Sequence, residues 1–506
     1  MRRTHGSHLV VVALAAAGAA LASRPVAAQT LDRTRPPALG PAPSVNLPPA
    51  TVRTLSNGLR VIVVEQHELP LMDAVLIVPV GGEGDVAGRE GLATLTASLL
   101  DEGTTTRTAL QIADQASFLG VSLGTGAGWD ASQVTLHAPV AQLDSALALM
   151  ADVATRPSFP EPDFERLKKE RLTGLLQLRD RAPAIADRAF AQQVFGAAHP
   201  YGRALGGTEA STRALTRADV QRFYATHWRP QTATLLVVGD VRADDLVPRA
   251  ERAFAAWRGS AGAAGGEAAR AGVAVAAPPA ARATTVYLVD KPNAPQSSVR
   301  IGLVGVPRNT PDWFPLRVMN TILGGSFTSR LNQNLRETRG YTYGASSGFD
   351  MRRAAGPFAA RAEVTAAKTD SSLVEFMKEL RAMADTVPAD ELAKAKRYLQ
   401  LQLPGAFETT GDIAGQLAPL VVHGLPLDWY DQYVGRVEAV TQADVQRVAR
   451  QYVDPSKFVI VVVGDRKTVE PAVRALNLGP LTVLEPDAVM GGGATPTTPA
   501  AGGTQR

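Results

Sequence analysis

The sequence has no cysteine, few histidines and no long basic run, and each absence excludes a class of chemistry. Without cysteine the chain forms no disulfide, no thiolate metal site and no cysteine nucleophile. No histidine opens a His-x-x-x-His or His-x-x-Glu-His pattern, so the usual helical metal sites are missing. The lack of a Lys/Arg stripe argues against nucleic acid as a partner. The sequence therefore carries no visible machinery for independent catalysis.

The first 28 residues have the pattern of a secretory signal peptide. Arg2 and Arg3 precede an apolar stretch from Leu9 to Leu21, and Val26-Ala27-Ala28 supplies the small residues that a signal peptidase accepts. The stretch is shorter than the roughly 20 residues that span a bilayer. We therefore expect export, a periplasmic location and no stable membrane insertion, with an uncleaved anchor as the alternative. Removing three arginines with the signal takes the net charge from +4 to +1.

Composition divides the rest of the chain into ordered blocks and connecting segments. A proline-rich lead is predicted at 29–50, an Ala/Gly/Pro linker at 258–283 and a flexible tail at 484–506. These segments leave an N-terminal domain at 51–257 and a C-terminal domain at 284–483. Each block has enough apolar residues to build a core of its own.

The two blocks contain stretches that are copies of one another. Thr216 to Asp240 reads TRADVQRFYATHWRPQTATLLVVGD, and Thr441 to Asp465 reads TQADVQRVARQYVDPSKFVIVVVGD. The offset is 441 − 216 = 225 residues with no gap. In each copy a threonine can cap the ADVQR helix, because its hydroxyl accepts an orphan backbone N–H. A proline then precedes an apolar β run that ends at Gly-Asp. The sequence therefore predicts a duplicated domain.

Each block mixes signals for strands and helices. Asn57-Gly58 lies between two β-type runs and predicts a hairpin. Helical patterns follow around 92–100, 109–119, 143–154 and 162–178. The sequence predicts an α/β fold of the α+β sandwich type, with two homologous domains that each consist of a mixed β-sheet covered by helices.

The segment from Gly91 to Thr104 reads GLATLTASLLDEGT. It resembles the G-L-A-H-x-x-E-H-x-x-x-x-G-T helix of the pitrilysin/insulinase peptidases, the inverzincins, whose H-x-x-E-H motif binds zinc. By this resemblance Thr94 stands at the first His, Ala97 at the Glu and Ser98 at the second His. Hydroxyls are poor zinc ligands and Ala97 offers no base. We expect no metal in this chain and no peptide hydrolysis by the chain alone.

The third zinc ligand of that family is a Glu on a later helix, and its position falls at Gly174 within ERLKKERLTGLLQ. Glu165 and Glu170 lie close enough in sequence to shift this alignment. Neither carboxylate would restore a zinc site without the two imidazoles. The resemblance thus implies that all the metal positions are degenerate.

The second block keeps a segment that resembles the substrate-contacting motif of the same family. GGSFTSRL at 324–331 is followed by NLRETRGYTY at 334–343. In two-subunit members the zinc-free subunit lends an Arg and a Tyr, spaced as L-R-x₆-Y, to the partner's substrate, and Arg336 and Tyr343 match this spacing. Both side chains can donate hydrogen bonds to a peptide carbonyl or a forming oxyanion. The alternative is structural: a basic helix end before Gly340, then Tyr341 and Tyr343 on one face of a strand.

The resemblance covers about residues 51–483 and implies a function. It implies half of a clamshell that pairs with a zinc-bearing homologue as a heterodimer and binds a peptide substrate. Zinc is expected in the partner and no cofactor in this chain. One alternative is a peptide-binding or scaffold protein without a proteolytic complex, as in family members of respiratory complexes. A self-sufficient hydrolase with unrecognised residues is a further alternative.

Overall fold

The computed structural model describes Gly40 and residues 47–258, 270–280 and 282–491. The predicted signal peptide at 1–28 lies outside these residues. So do most of the predicted lead, residues 259–269 of the predicted linker and the tail from residue 492. Every element described below lies within the unit that comprises residues 42–506.

The first half of the chain forms a six-stranded mixed sheet. Its strands are β1 (Thr51–Thr54), β2 (Arg60–Glu65), β3 (Leu71–Val78), β4 (Ser122–Ala127), β5 (Ser132–Pro139) and β6 (Thr234–Gly239). The strand order is β1-β2-β6-β3-β5-β4, with β2 parallel to β6 and the other neighbours antiparallel. The predicted Asn57-Gly58 turn joins β1 to β2, and Gly58 adopts a φ of +91° that favours glycine. β4 is therefore one edge of the sheet.

The second half repeats this arrangement. Its strands are β7 (Thr285–Asp290), β8 (Gln296–Val304), β9 (Thr342–Phe349), β10 (Pro357–Thr365), β11 (Val459–Gly464) and β12 (Leu481–Leu484). The order is β12-β7-β11-β8-β10-β9, so β9 occupies the edge that β4 occupies in the first sheet. The predicted class, two mixed sheets covered by helices, is confirmed.

Helices cover both sheets. In the first half they are α1 (Leu92–Ser98), α2 (Ala109–Leu119), α3 (Leu143–Thr155), α4 (Glu161–Leu178), α5 (Ala182–Phe195), α6 (Glu209–Ala214), α7 (Arg217–His227) and α8 (Ala243–Phe254). In the second half they are α9 (Trp313–Leu323), α10 (Arg330–Asn332), α11 (Thr369–Asp385), α12 (Ala389–Gln402), α13 (Thr410–Val422), α14 (Tyr433–Ala439), α15 (Gln442–Tyr452), α16 (Arg466–Ala475) and α17 (Pro486–Met490). Helices α7 and α15, the two ADVQR copies, begin at capping boxes formed by Thr216 with Asp219 and by Thr441 with Asp444.

The two halves exchange equivalent helices. Helix α5 follows α4 in the first half, yet it packs on β8 and β11 of the second sheet. Helix α13 follows α12 in the second half and packs on β3 and β6 of the first sheet. Ile185 and Phe190 of α5 share one apolar cluster with Val461 of β11. The halves therefore interlock through buried apolar surface and are not joined by the linker alone.

Parts of the predicted linker and tail are ordered against the protein. His199 Nε2 donates to the Ala276 carbonyl at 3.0 Å, within the segment predicted as a linker. Residues of the predicted tail form α17, where Gln192 Nε2 donates to the Val489 carbonyl at 3.1 Å and Val489 is buried. Val275 of the first stretch and Val489 of the second also pack in the same apolar cluster, although the composition of both stretches is typical of flexible chain.

Candidate functional site

Helix α1 forms where the resemblance placed the metal-binding helix, and the hydroxyls at the two former histidine positions bond within the chain. Thr94 Oγ1 donates to the Gly91 carbonyl at 3.0 Å, and Ser98 Oγ donates to the Thr94 carbonyl at 2.9 Å. Both hydroxyls thus complete the local backbone of the helix. Ala97 is fully buried. Helix α1 therefore contributes to packing, and the side chains at positions 94 and 98 form hydrogen bonds with backbone carbonyls at the helix itself.

An arginine and an aspartate lie at the start of α1. Asp85 accepts from the Gly91 N–H at 2.7 Å and the Ala93 N–H at 2.8 Å, and so caps the helix. Burial raises the pKa of Asp85 to about 7. Arg171, one turn before Gly174 on α4, donates to the Gly91 carbonyl at 2.6 Å, and burial lowers its pKa to about 10. The structure therefore brings the Gly174 turn of α4 close to the start of α1.

Sequence patterns did not reveal Arg171 and Asp85, because both reach Gly91 from outside the motif, through contacts that only the fold creates. A buried cation beside the former metal positions opposes the binding of a second cation. Among residues 47–258, 270–280 and 282–491, no group of three or more His, Asp or Glu side chains could hold a metal ion. The described part of the chain also has no helix long and apolar enough to cross a membrane.

Chelation is expected to leave the stability of the chain unchanged. Thr94, Ala97 and Ser98 supply no ligand, so the melting temperature of the purified protein should be the same in EDTA and in excess zinc. Thermal denaturation and elemental analysis of bound zinc measure this directly. The variant Thr94→His/Ser98→His is a positive control, because imidazoles at i and i+4 share a helix face. Stoichiometric zinc in the wild type, with a lower melting temperature in EDTA, would contradict the prediction.

In the second half, the Gly-rich segment after α9 packs closely against β9. A Cβ at Gly324 would lie 2.3 Å from the Ser347 backbone nitrogen, so only glycine fits at this position. Ser347 Oγ donates to Asn320 Oδ1 at 2.8 Å, and Asn332 Oδ1 accepts from the Ala345 N–H at 3.2 Å. These contacts fix the strand relative to α9 and α10. They explain why glycines precede the candidate Arg/Tyr motif.

Arg336 lies on a π-helical turn at Gln333–Thr338 that continues α10. The turn is widened by a bond from the Arg339 N–H to the Asn334 carbonyl at 2.9 Å. Such turns are rare and often lie at functional sites. The Arg336 guanidinium stacks over the Phe327 ring at 4.4 Å from its centroid, and its Nε lies 3.4 Å from Glu337. Among the residues that the structure describes, Arg336 therefore has no buried carboxylate that would account for its position.

Tyr343 is 92% exposed on the edge strand β9, and its side chain makes no hydrogen bond or ring contact with the described residues. The prediction that Tyr341 and Tyr343 share one strand face was wrong. Strand β9 begins only at Thr342, because the Tyr341 N–H still bonds to the Leu335 carbonyl at 2.9 Å. Tyr341 instead packs against the apolar core. An exposed tyrosine without a partner is the feature of this motif that packing does not explain.

The segment Gly344-Ala345-Ser346-Ser347-Gly348 has the G-x-S-x-G spacing of a nucleophile elbow. It lies entirely within β9, whereas such an elbow needs a sharp turn from a strand into a helix. The serine of this pattern, Ser346, is exposed on the strand, and its side chain makes no hydrogen bond to a histidine or any other described residue. This segment supplies no activated serine.

A buried ionic cluster joins the two halves. Arg353 of the β9–β10 connection lies 3.0 Å from Glu83 through its Nη1, and its backbone N–H donates to Asp130 at 2.7 Å. Asp130 also accepts from the buried Tyr201 hydroxyl at 2.8 Å. Burial raises the pKa of Glu83 to about 8, against the attraction of Arg353. These residues lie far apart in sequence, so no spacing could have revealed the cluster.

The fold and this site define a duplicated, peptidase-like protein whose metal positions carry no ligand side chains. A family model described as the Peptidase M16 inactive domain matches residues 214–399. The crystal structure of a peptidase M16 inactive domain from Pseudomonas fluorescens is 28% identical, with a TM-score of 0.75, and the match covers 82% of this chain and 98% of that one. The predicted resemblance to the pitrilysin/insulinase peptidases, which are the M16 peptidases, is thereby confirmed.

Two further relatives carry different descriptions. An uncharacterized zinc protease of Mycobacterium leprae is 28% identical over 355 residues, which is 68% of this chain and 74% of that protein. The non-peptidase homolog YmxG of Helicobacter pylori is 22% identical over 413 residues, which is 80% of this chain and 92% of that protein. Relatives of this chain thus include proteins described as proteases and one described as a non-peptidase.

Proposed function

We propose that this chain is the non-catalytic subunit of a zinc-dependent M16 peptidase, and that it binds the peptide substrate and lends Arg336 and Tyr343 to the partner's active site. The observation that carries the proposal is the exposed Tyr343 on the edge strand β9, close after the π-helical turn that holds Arg336. A donor meant for a ligand of another subunit must be exposed in the isolated chain.

The hydrogen bonds at helix α1 support the proposal that a partner subunit carries out the hydrolysis. The side chains of Thr94 and Ser98 bond to backbone carbonyls, so this chain has no residue there to activate water. Zinc and the general base would come from a homologous subunit that carries H-x-x-E-H. A guanidinium and a phenol that face the scissile carbonyl would stabilise the oxyanion as it forms.

The same proposal includes a periplasmic location for this pair, which the signal-like sequence of residues 1–28 supports. Peptides would be held by sheet edges, because an edge strand offers unpaired N–H and C=O groups to an extended chain. Both β4 and β9 are edge strands in the described part of the structure. A peptide could therefore pair with either half.

The proposal is tested by isolating the complex. The tagged full chain should be purified undenatured from its own cells, and the co-eluting proteins identified by mass spectrometry together with bound zinc. We expect a near-stoichiometric homologue with H-x-x-E-H and one zinc per pair. A chain that elutes alone or with a copy of itself, without zinc, would leave a peptide-binding or scaffold protein and remove the catalytic role of Arg336 and Tyr343.

A further inference from the structure

A cavity of about 580 Å³ lies between the β4 edge of the first sheet and elements of the second half. One wall is formed by β4 and the start of β5, and the opposite wall by residues 350–352 and the end of α13. Gly124, Gly126 and Gly128 line it, so another backbone can approach β4 closely. A volume of this size is typical of ligand sites.

Two side chains in the wall of this cavity each have a buried nitrogen without a hydrogen-bond partner. Arg352 is only 9% exposed, and its Nη1 bonds to no other described group. His423, at the end of α13, has the same deficit at Nδ1. Leaving a buried donor unpaired costs free energy, so two such groups in one wall are unusual. They indicate a ligand that completes the bonding.

The other groups of the Arg352 side chain already have partners. Its guanidinium stacks over the rings of Trp129 and Tyr201, with centroids at 4.4 and 4.5 Å, and its Nε donates to Asp350 at 2.9 Å. These contacts orient the guanidinium and leave the buried Nη1 without a hydrogen-bond partner. An arginine with one free edge prefers a carboxylate or another oxygen acceptor.

The acidic groups near the cavity are already engaged. Asp130 accepts from the Tyr201 hydroxyl and the Arg353 N–H, and Asp350 accepts from Arg352. The nearby guanidinium of Arg308 stacks over Trp313 and Trp429 at 4.8 Å and has no carboxylate partner among the described residues. The side chains near the cavity that lack partners are therefore arginines and an imidazole, and the carboxylates already have partners.

We propose that this cavity binds a carboxylate of a peptide that lies along β4, with Arg352 Nη1 as its charged donor and His423, in its Nδ1–H tautomer, as a second donor. The proposal rests on the peptide-binding role above and adds the chemical class that the site selects. Both nitrogens lie just behind the cavity wall, so the ligand meets them after a small side-chain rotation of the kind common at binding sites. The carboxylate can belong to the peptide C-terminus or to an Asp or Glu side chain.

The test measures the binding of defined peptides to the full chain without a partner subunit. An acetylated peptide of alternating Val and Thr is prepared as the free C-terminal acid, as the C-terminal amide and as an amide with one central Asp. We expect the free acid, the Asp peptide or both to bind about tenfold more tightly than the plain amide, as one charged hydrogen bond provides. Isothermal titration calorimetry gives the three affinities. The peptide that binds more tightly shows whether the site takes a C-terminal or a side-chain carboxylate.

Three variants place the effect in the cavity. Arg352→Met should reduce the affinity for the acid to that for the amide. Gly126→Leu should weaken all three peptides, because a Cβ at Gly126 meets no atom within 4 Å and the side chain would fill the cavity without strain. Arg436→Met removes a different arginine, stacked over Phe314 at 5.5 Å and outside the cavity, and should change nothing.

The outcomes separate this proposal from the subunit function. Equal affinity for all three peptides overturns carboxylate selection, and no binding of any peptide overturns the site itself. If Arg352→Met fails to fold, as judged by its thermal denaturation, the Gly126→Leu result decides. None of these measurements depends on zinc or on a partner, so turnover by the assembled pair remains a separate question.

Discussion

Replacing Tyr343 with Phe, or Arg336 with Ala, is expected to lower peptide turnover by the assembled pair about 10²- to 10³-fold. This is the usual loss when one donor to a developing oxyanion is removed. Tyr343→Phe deletes a single hydroxyl from a side chain that is 92% exposed, so the fold of the isolated chain should not change. Turnover is measured with purified complex on a fluorogenic peptide, and assembly is checked by size-exclusion chromatography.

Neighbouring residues provide matched controls for this prediction. Tyr341→Phe removes the same hydroxyl from a tyrosine that packs against the core. Arg339→Ala removes a guanidinium from the same helix end, where it lies 2.6 Å from Glu375 on α11. Both variants should retain turnover within a few fold. If the Arg336 and Tyr343 variants are as active as these controls in intact complexes, the two side chains have no catalytic role.

Whether these variants change kcat or KM would distinguish two mechanisms. Donors that act only on the transition state lower kcat and kcat/KM together, whereas uniform peptide binding raises KM alone. Arg336 is held by the Phe327 ring and Glu337, so part of its contribution depends on being released or reoriented by the substrate. Tyr343 has no such competing contact, and its variant should show the cleaner effect on kcat.

Local signals in the sequence predicted the repeated elements well. The Asn57-Gly58 hairpin and the capped ADVQR helices depend on turn and capping chemistry within a few residues, and all formed as predicted. The helix at Leu92–Ser98 also formed, because its apolar leucines face the core whether or not metal ligands are present. Local chemistry of this kind can be read without knowing the fold.

Features that depend on contacts between the halves could not be predicted in this way. The exchange of α5 and α13 follows from how two interleaved repeats bury their apolar faces, which a single helix pattern does not encode. The cluster of Glu83, Asp130 and Arg353 joins residues separated by more than two hundred positions. Tyr343 is exposed and Tyr341 partly buried because the helical turn ends at Tyr341 and the strand begins one residue later. In each case the deciding contact is tertiary.

The stability of the chain is expected to fall as pH rises from about 5 to about 8, and Glu83→Gln should remove much of this dependence. The ordinary pKa of a glutamate is 4.5, whereas burial raises that of Glu83 to about 8 in the folded protein. Between these values the folded state keeps a proton that the unfolded state has released. The folded state therefore loses stability as pH rises through this window.

The size of the effect follows from the same shift: three pH units at about 1.4 kcal/mol per unit give a loss on the order of 4 kcal/mol in the free energy of unfolding. Urea denaturation at several pH values measures it for wild type and Glu83→Gln. Asp85 is a second source of the same sign, because burial raises its pKa to about 7. In the Glu83→Gln variant, the remaining decrease in stability that Asp85 causes should therefore stop near pH 7.

If the free energy of unfolding of the wild type does not change with pH, the attraction between the charged Glu83 and Arg353 side chains fully offsets the cost of burying them. The control Glu251→Gln changes an acid at the surface, where it accepts from the Ser56 N–H at 3.1 Å, and should leave the slope unaltered. Because Glu83 lies in the first half and Arg353 in the second, the titrating contact spans the two interlocked repeats. A loss of stability at high pH would therefore weaken the packing that forms the cavity beside β4, and peptide binding should weaken over the same pH range.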